Sequence, residues 1–315
     1  MQKDDERGVA LLLALLVVTL LVALILEFDA EARREYREAA AFRDNFKASM
    51  LTRAAVQAAR AVLQQDFLRD KQSGEKFDAP TDLWAMPIKN YVIGDGFLSA
   101  QIYDERSKLN LNDFIATAND QIKFKTTTER ARRLFELLQL NPDLVDALID
   151  WIDQDDNPRP AGAESAYYQS QRPAYRAANE RLQSLTDLRL IKGFTPDIID
   201  RLSRYVTVYP LDGTAPININ TADPLVIQSL DAEITQAMAT EIVQGRPYKN
   251  KVADVDRINS FRDIGQRLRP DYEVKSDFFS ARLAITVNES TKTALAVLRR
   301  ETNKGDSTVE YLRVF

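Results

Sequence analysis

The sequence predicts an α+β fold: a long N-terminal helix packed on an antiparallel sheet, with a large all-helical insertion. Neither Gly nor Pro occurs from Val9 to Ser73, so nothing interrupts a helix over that stretch. Strand signals sit in two distant places, residues 91–103 and 278–315, with about 170 residues of helical pattern between them. One small α/β domain interrupted by an inserted helical domain is the economical arrangement of those elements.

The helix has two halves. Val9–Leu26 carries no charge, and its only polar residue, Thr19, can bond back to its own helix. Eighteen residues at ~1.5 Å each span about 27 Å, close to the ~30 Å hydrocarbon core of a bilayer. Beyond it, Phe28, Ala32, Tyr36, Ala39, Phe42, Phe46, Met50, Ala54, Ala58 and Ala61 recur at helical spacing among Arg, Glu, Asp and Gln. That stripe predicts the face turned toward the sheet and therefore core. Tyr36, Phe42 and Phe46 would serve equally as partner contacts.

Lys71–Lys76 is a polar break after the helix. Gly94-Asp95-Gly96 between β-rich runs signals a hairpin. Helices are expected over Thr128–Leu140, Pro142–Ile152, Ser184–Leu190, Pro196–Tyr205, Asp223–Leu230, Ile234–Gln244 and Asn259–Leu268, several stopped by Pro or Gly. Phe278–Val287, Thr291–Arg300 and Thr308–Phe315 then read as an antiparallel meander. The expected division is a membrane helix over 9–26, sheet domain over 27–104 and 276–315, and helical insertion over 105–275.

Composition excludes several function classes. The 315 residues carry a net charge of −5, without the concentrated basic patch that phosphate binding requires. There is no Cys and no His, which removes disulfides, thiolate chemistry, the commonest general base and the commonest transition-metal ligand. Any metal here should be held by oxygen.

Arg7-Gly8, the apolar helix behind it and the amphipathic continuation resemble type IV pilins and the pseudopilins of type II secretion. Inside the insertion the resemblance rests on Asp104-Glu105, Asn110-Leu111-Asn112, Asp150-Trp151-Ile152-Asp153, Gly162-Ala163-Glu164 with Tyr167 or Tyr168, Leu188 to Gly193, and Ile217-Asn218-Ile219-Asn220-Thr221-Ala222. Most family members carry Glu at the fifth mature position; here Leu13 stands there, which is similar to the K-type minor pseudopilins. The resemblance implies a leader over residues 1–8, cut by the prepilin peptidase between Gly8 and Val9, with methylation of the new terminus. It further implies a single-pass inner-membrane protein with a cytoplasmic N-terminus and a periplasmic globular part. Its partners would be other minor pseudopilins at the pseudopilus tip and the inner-membrane secretion assembly platform. Its role would be capping the tip and initiating assembly for export across the outer membrane. A minor pilin of a type IV pilus is the alternative.

Asp153-Gln154-Asp155-Asp156-Asn157-Pro158-Arg159-Pro160-Ala161-Gly162-Ala163-Glu164 invites a metal reading. Asp153, Asp155, Asn157 and Glu164 fall at the side-chain ligand positions of a calcium loop, with the Arg159 carbonyl at the seventh. Pro158 stands where the sharp turn wants Gly, which argues against EF-hand geometry. Asp150 and Asp156 are weaker candidates. Acidic side chains at a helix C-terminus face the negative end of its dipole, so a cation would relieve them. The resemblance adds that K-type pseudopilins bind calcium in the helical domain, so calcium, as one or more ions, is the expected cofactor.

Ile217–Arg246 also resembles a helix-hairpin-helix, a unit used by DNA-binding proteins. Its hairpin is Asp231-Ala232-Glu233, which has no Gly and would repel a phosphate, so nucleic acid is not an expected partner. Asp150 and Asp153 as a glycosidase pair fare no better, one helical turn apart. The chain is expected not to be an enzyme.

Overall fold

The computed structural model describes residues 2–213, 216–301 and 303–315, with side chains described from residue 9 onward except at Asp256. Helix α1 runs unbroken over Gln2–Ser73 and is closed by Gly74 at φ +73°, the left-handed position that glycine tolerates. Strands β1 (Ile88–Ile93) and β2 (Gly96–Asp104) form the expected hairpin. The chain then leaves the sheet for the insertion and returns as β7 (Phe278–Val287), β8 (Ser290–Arg300) and β9 (Ser307–Val314). Strand order is β1-β2-β7-β8-β9, antiparallel throughout. The insertion is thus spliced between two neighbouring strands, with Gly96 opposite Val287 and Asp104 opposite Phe279.

Between β2 and β7 lie β3 (Leu109–Asn110), α2 (Asp113–Thr117), α3 (Gln121–Leu137), α4 (Leu144–Ile152), α5 (Ser165–Gln169) and α6 (Pro196–Leu202). They are followed by β4 (Val206–Thr207), β5 (Ile217–Asn218), α7 (Pro224–Ser229), α8 (Gln236–Gln244), α9 (Arg262–Arg267) and β6 (Tyr272–Glu273). Helix α3 starts seven residues earlier than its pattern suggested and ends three sooner, Leu185–Leu190 is a 3-10 turn, the other expected helices are shorter, and two parallel strand pairs, β3 with β4 and β5 with β6, stand among them.

Those pairs explain the Asn motifs. Asn112 donates from Nδ2 to the carbonyls of Leu182 and Val208 and accepts from Leu182 N–H, while its own N–H reaches Asn110 Oδ1. Asn220 repeats the arrangement with Tyr248, Val274 and Asn218. Each buried amide satisfies main-chain groups that no regular element pairs. The insertion is built from two such units in tandem.

The predicted core stripe on α1 is corrected by the structure. Every residue of it, from Phe28 to Ala61, is exposed. The face against the sheet is instead Ala48, Thr52, Ala55, Val56, Ala59 and Leu63, packed on Leu98, Ile102, Leu283, Ile285, Ala294 and Leu298. Small residues at three- and four-residue spacing let the helix lie close on a sheet that supplies the large side chains. Burial begins at Asp44, so the aromatics of residues 28–42 extend beyond the sheet.

Helix, sheet and insertion are tied by a buried polar cluster. Arg300 donates from Nη2 to both carboxylate oxygens of Asp78 (2.7 and 2.6 Å) and from Nη1 to Asp66 on α1 (3.3 Å). Asp78 accepts from Ser276 N–H, and Asn218 of the insertion donates to Asp104 Oδ2 and to the Asp78 carbonyl.

Candidate metal centre

Helix α4 is apolar enough to be buried almost all round, and Val145 through Ile152 are all buried. Two carboxylates are carried in with it. Asp146 accepts from Arg132 Nη2 at 2.6 Å. Asp150, one turn later and fully buried, accepts from Arg159 N–H at 3.0 Å through Oδ2. The helix stops at Asp153, and the following loop folds back to α5, bringing Glu164 over the helix end.

Asp150, Asp153 and Glu164 each present a carboxylate oxygen within 4.8 Å of the others. Asp150 Oδ1, Asp153 Oδ1 and both oxygens of Glu164 are buried without a hydrogen-bond donor. Burial, reinforced by the Asp150 and Asp153 charges, pushes Glu164 up to about 7. Burial and the Asp155 and Asp150 charges push Asp153 up to about 6. Asp150 is raised by burial, opposed by the Arg159 hydrogen bond. Orphaned acceptors of this kind are costly, and a hard divalent cation, which takes oxygen ligands, would satisfy them. Arg159 Nε approaches Asp150 Oδ1 only to 3.6 Å.

Gly162 makes the cradle possible. A Cβ there would stand 2.6 Å from Asp150 Cγ and closer still to Oδ2. Lys192 fixes the same loop by donating to the carbonyl of Gly162 at 2.9 Å.

The structure therefore brings together Asp153 and Glu164 of the expected ligands and places Asp150 at the centre. Asp155 is exposed, its Oδ1 accepting from Asn157 N–H at 2.8 Å; Asn157 and Asp156 are exposed as well. The signal for Asp150 was its place one turn before the end of an otherwise apolar helix. A second group, Asp66, Asp78 and Asp82, is as tightly spaced, but Arg300 already stands among those carboxylates.

Elsewhere, Val9 and Leu13 lie on the exposed apolar part of α1, whose described portion is long and apolar enough to cross a membrane. The expected cleavage residue Gly8 lies outside the residues whose side chains are described. In the helix-hairpin-helix, Asp231 and Glu233 face Arg267 at 3.4 and 3.1 Å.

A family model for Type II secretion system protein K matches residues 107–211, and a second matches 217–275. A Klebsiella pneumoniae type II secretion system protein K is 31% identical over 255 residues, 76% of this chain and 75% of that protein. The chain belongs to the type II secretion system protein K family. The Pseudomonas aeruginosa protein K is 28% identical over 309 residues, covering 95% of this chain and 90% of its relative. In the crystal structure of the GspK-GspI-GspJ complex from enterotoxigenic Escherichia coli, one chain matches with TM-score 0.70 at 21% identity. The match covers 88% of this chain and 99% of that one, and it shows a shared fold. The chain is therefore a minor pseudopilin of type II secretion, a structural family, and not a pilin of a type IV pilus. The two matched segments coincide with the two Asn-anchored units of the insertion.

Proposed function

We propose that this chain caps the tip of a secretion pseudopilus and starts its assembly together with two other minor pseudopilins, as a structural part and not as a catalyst. The observation that carries this reading is α1. Its apolar half is exposed from Val9 to Leu26, and Phe28, Tyr36, Phe42 and Phe46 continue as an exposed stripe, a face that neighbouring helices would cover. Leu13 puts an alkyl group where other pseudopilins carry a carboxylate for the next subunit, which suits a terminal position. The related GspK-GspI-GspJ complex supports partnership with two such chains.

In this reading residues 1–8 are a leader removed by the prepilin peptidase, with methylation at Val9. Residues 9–26 then span the inner membrane, N-terminus cytoplasmic, and the assembly platform receives the helix. Residues 27–104 and 276–315 form the periplasmic pilin-like domain, and residues 105–275 its insertion. Calcium binds at Asp150, Asp153 and Glu164, with Asp155, Asn157 and Asp156 as outlying candidates, and supplies the charge that holds the loop to α4. Replacing Gly8 with Tyr tests the processing step: the account expects unprocessed precursor and lost export, and unchanged size with normal export would overturn it.

A further inference from the structure

The sheet has a second face, turned away from α1. Leu98 and Ile102 pack on the helix, so Phe97, Gln101 and Tyr103, alternating with them on β2, lie on the other side. Arg282 and Ala284 on β7 and Thr293 and Leu295 on β8 continue that face. The insertion covers only the end nearest Phe278, Val297 and Tyr311. The rest is open, with Phe97, Tyr103 and Phe315 exposed by 51%, 42% and 57%.

A shallow concavity of about 620 Å³ crosses this face between Tyr103 and Phe315. Its lining includes Lys89 and Arg282 and contains no Asp or Glu side chain, in a chain whose net charge is −5. Arg282 lies over the Tyr103 ring at 5.2 Å, and Arg313 lies over the Phe315 ring at 4.7 Å. A guanidinium stacked on an aromatic keeps its N–H edge free for a carboxylate. Among the described residues, neither arginine nor Lys89 has a carboxylate within ion-pair distance. Two cationic forks therefore flank an apolar floor that includes Ala284 and Leu295.

We propose that this concavity docks an extended, acidic peptide segment bearing aromatic or aliphatic side chains, supplied by a partner polypeptide. From β2 to β9 the face is three strand spacings wide, roughly 14 Å, which matches about five extended residues. Carboxylates at its two ends would reach the two arginines while apolar side chains rest on the floor between them. An anionic bilayer offers the same charge, but the first buried alanine on α1, Ala48, lies about 22 residues beyond Leu26, or ~33 Å of helix. That distance holds the face clear of the lipid.

The test uses the full chain in detergent and a fluorescein-labelled peptide alternating Glu with Phe and Leu, followed by anisotropy at low salt. Saturable binding is expected, weakened about tenfold or more by Arg282→Glu with Arg313→Glu and also by Leu295→Asp. A peptide with Lys in place of Glu should not bind, and one with Ser in place of the apolar residues should bind weakly. Melting curves of the arginine variants should match the parent, because Arg282 and Arg313 are exposed, whereas Leu295 is half-buried. Failure of the acidic peptide to saturate, or affinity indifferent to these substitutions, would overturn the proposal. So would variant-sensitive binding to phosphatidylglycerol vesicles without peptide binding, which would assign the face to lipid.

Discussion

Gly162 lies against Asp150 so closely that a methyl group on its α carbon would overlap the carboxylate, standing 2.6 Å from Cγ. The buried acid and the loop that crosses it are therefore fitted to each other without slack. Gly162→Ala should displace Asp150, cost about 1–3 kcal/mol of stability as overpacking does, and remove most of any calcium-dependent gain. Melting with calcium and with chelator, parent against variant, measures both effects.

Calcium should stabilise the parent, as a ligand of the folded state must, by about 2.7 kcal/mol at a hundredfold excess over Kd, and so raise its melting temperature. Asp153→Ala with Glu164→Ala should abolish that gain. In chelator the double variant should be no less stable than the parent, since it removes buried acceptors that have no donors. Trp151 follows Asp150 on α4 and meets the Tyr168 ring edge-on at 5.0 Å. In a Trp84→Phe background its emission should report the titration.

The cluster around Arg300 predicts a pH dependence of its own. Burial, with the Asp78 and Asp82 charges adding to it and Arg300 opposing, raises Asp66 to about 7. Its folded value thus exceeds the unfolded one, near 4. Between about pH 4 and 7 the native state holds the proton more tightly than the unfolded chain. Stability from this group is present at low pH and is lost as pH rises through 7, at no more than about 1.4 kcal/mol per pH unit. Asp66→Asn should raise the melting temperature at pH 8 and flatten the profile, leaving Asp78 paired with Arg300.

On α1 the sheet-facing and outward residues should respond oppositely. Ala55 is 4% exposed and Phe42 is 75% exposed. Ala55→Leu should destabilise the isolated protein by about 1–3 kcal/mol, because the close helix–sheet approach has no room for it. Phe42→Ser should leave its melting unchanged and impair only assembly. Denaturant unfolding beside an export assay separates the two.

Much of this architecture was legible in the sequence where local chemistry and tertiary context agree. The strands after Phe278 announced themselves by β-rich runs and turn residues, and the helix by the absence of any breaker. On α1 the large side chains at helical spacing mark the exposed face, not the buried one. There the sheet provides the bulk and Ala48, Ala55 and Ala59 provide the proximity. Of the candidate metal ligands, chain spacing points to Asp153 and Glu164, which the fold brings together, and equally to Asp155 and Asn157, which it leaves in solvent. Asp150 comes beside Glu164 only because a loop folds back over α4, which spacing along the chain does not show. The Asn pairs could not be interpreted without knowing that distant strands run parallel beside them.

The claim at the centre of this account is that the outward stripe of α1 meets other pseudopilins. Because the chain has no cysteine, Phe42→Cys creates a unique thiol on that stripe, and Ala55→Cys places one on the buried face. Thiol cross-linking in membranes carrying the whole secretion apparatus, with each partner pseudopilin given one cysteine on its own helix, tests the claim directly. A cross-link from position 42 to another minor pseudopilin is expected, and none from position 55. Absence of any cross-link from position 42, while the variant still supports export, would contradict it.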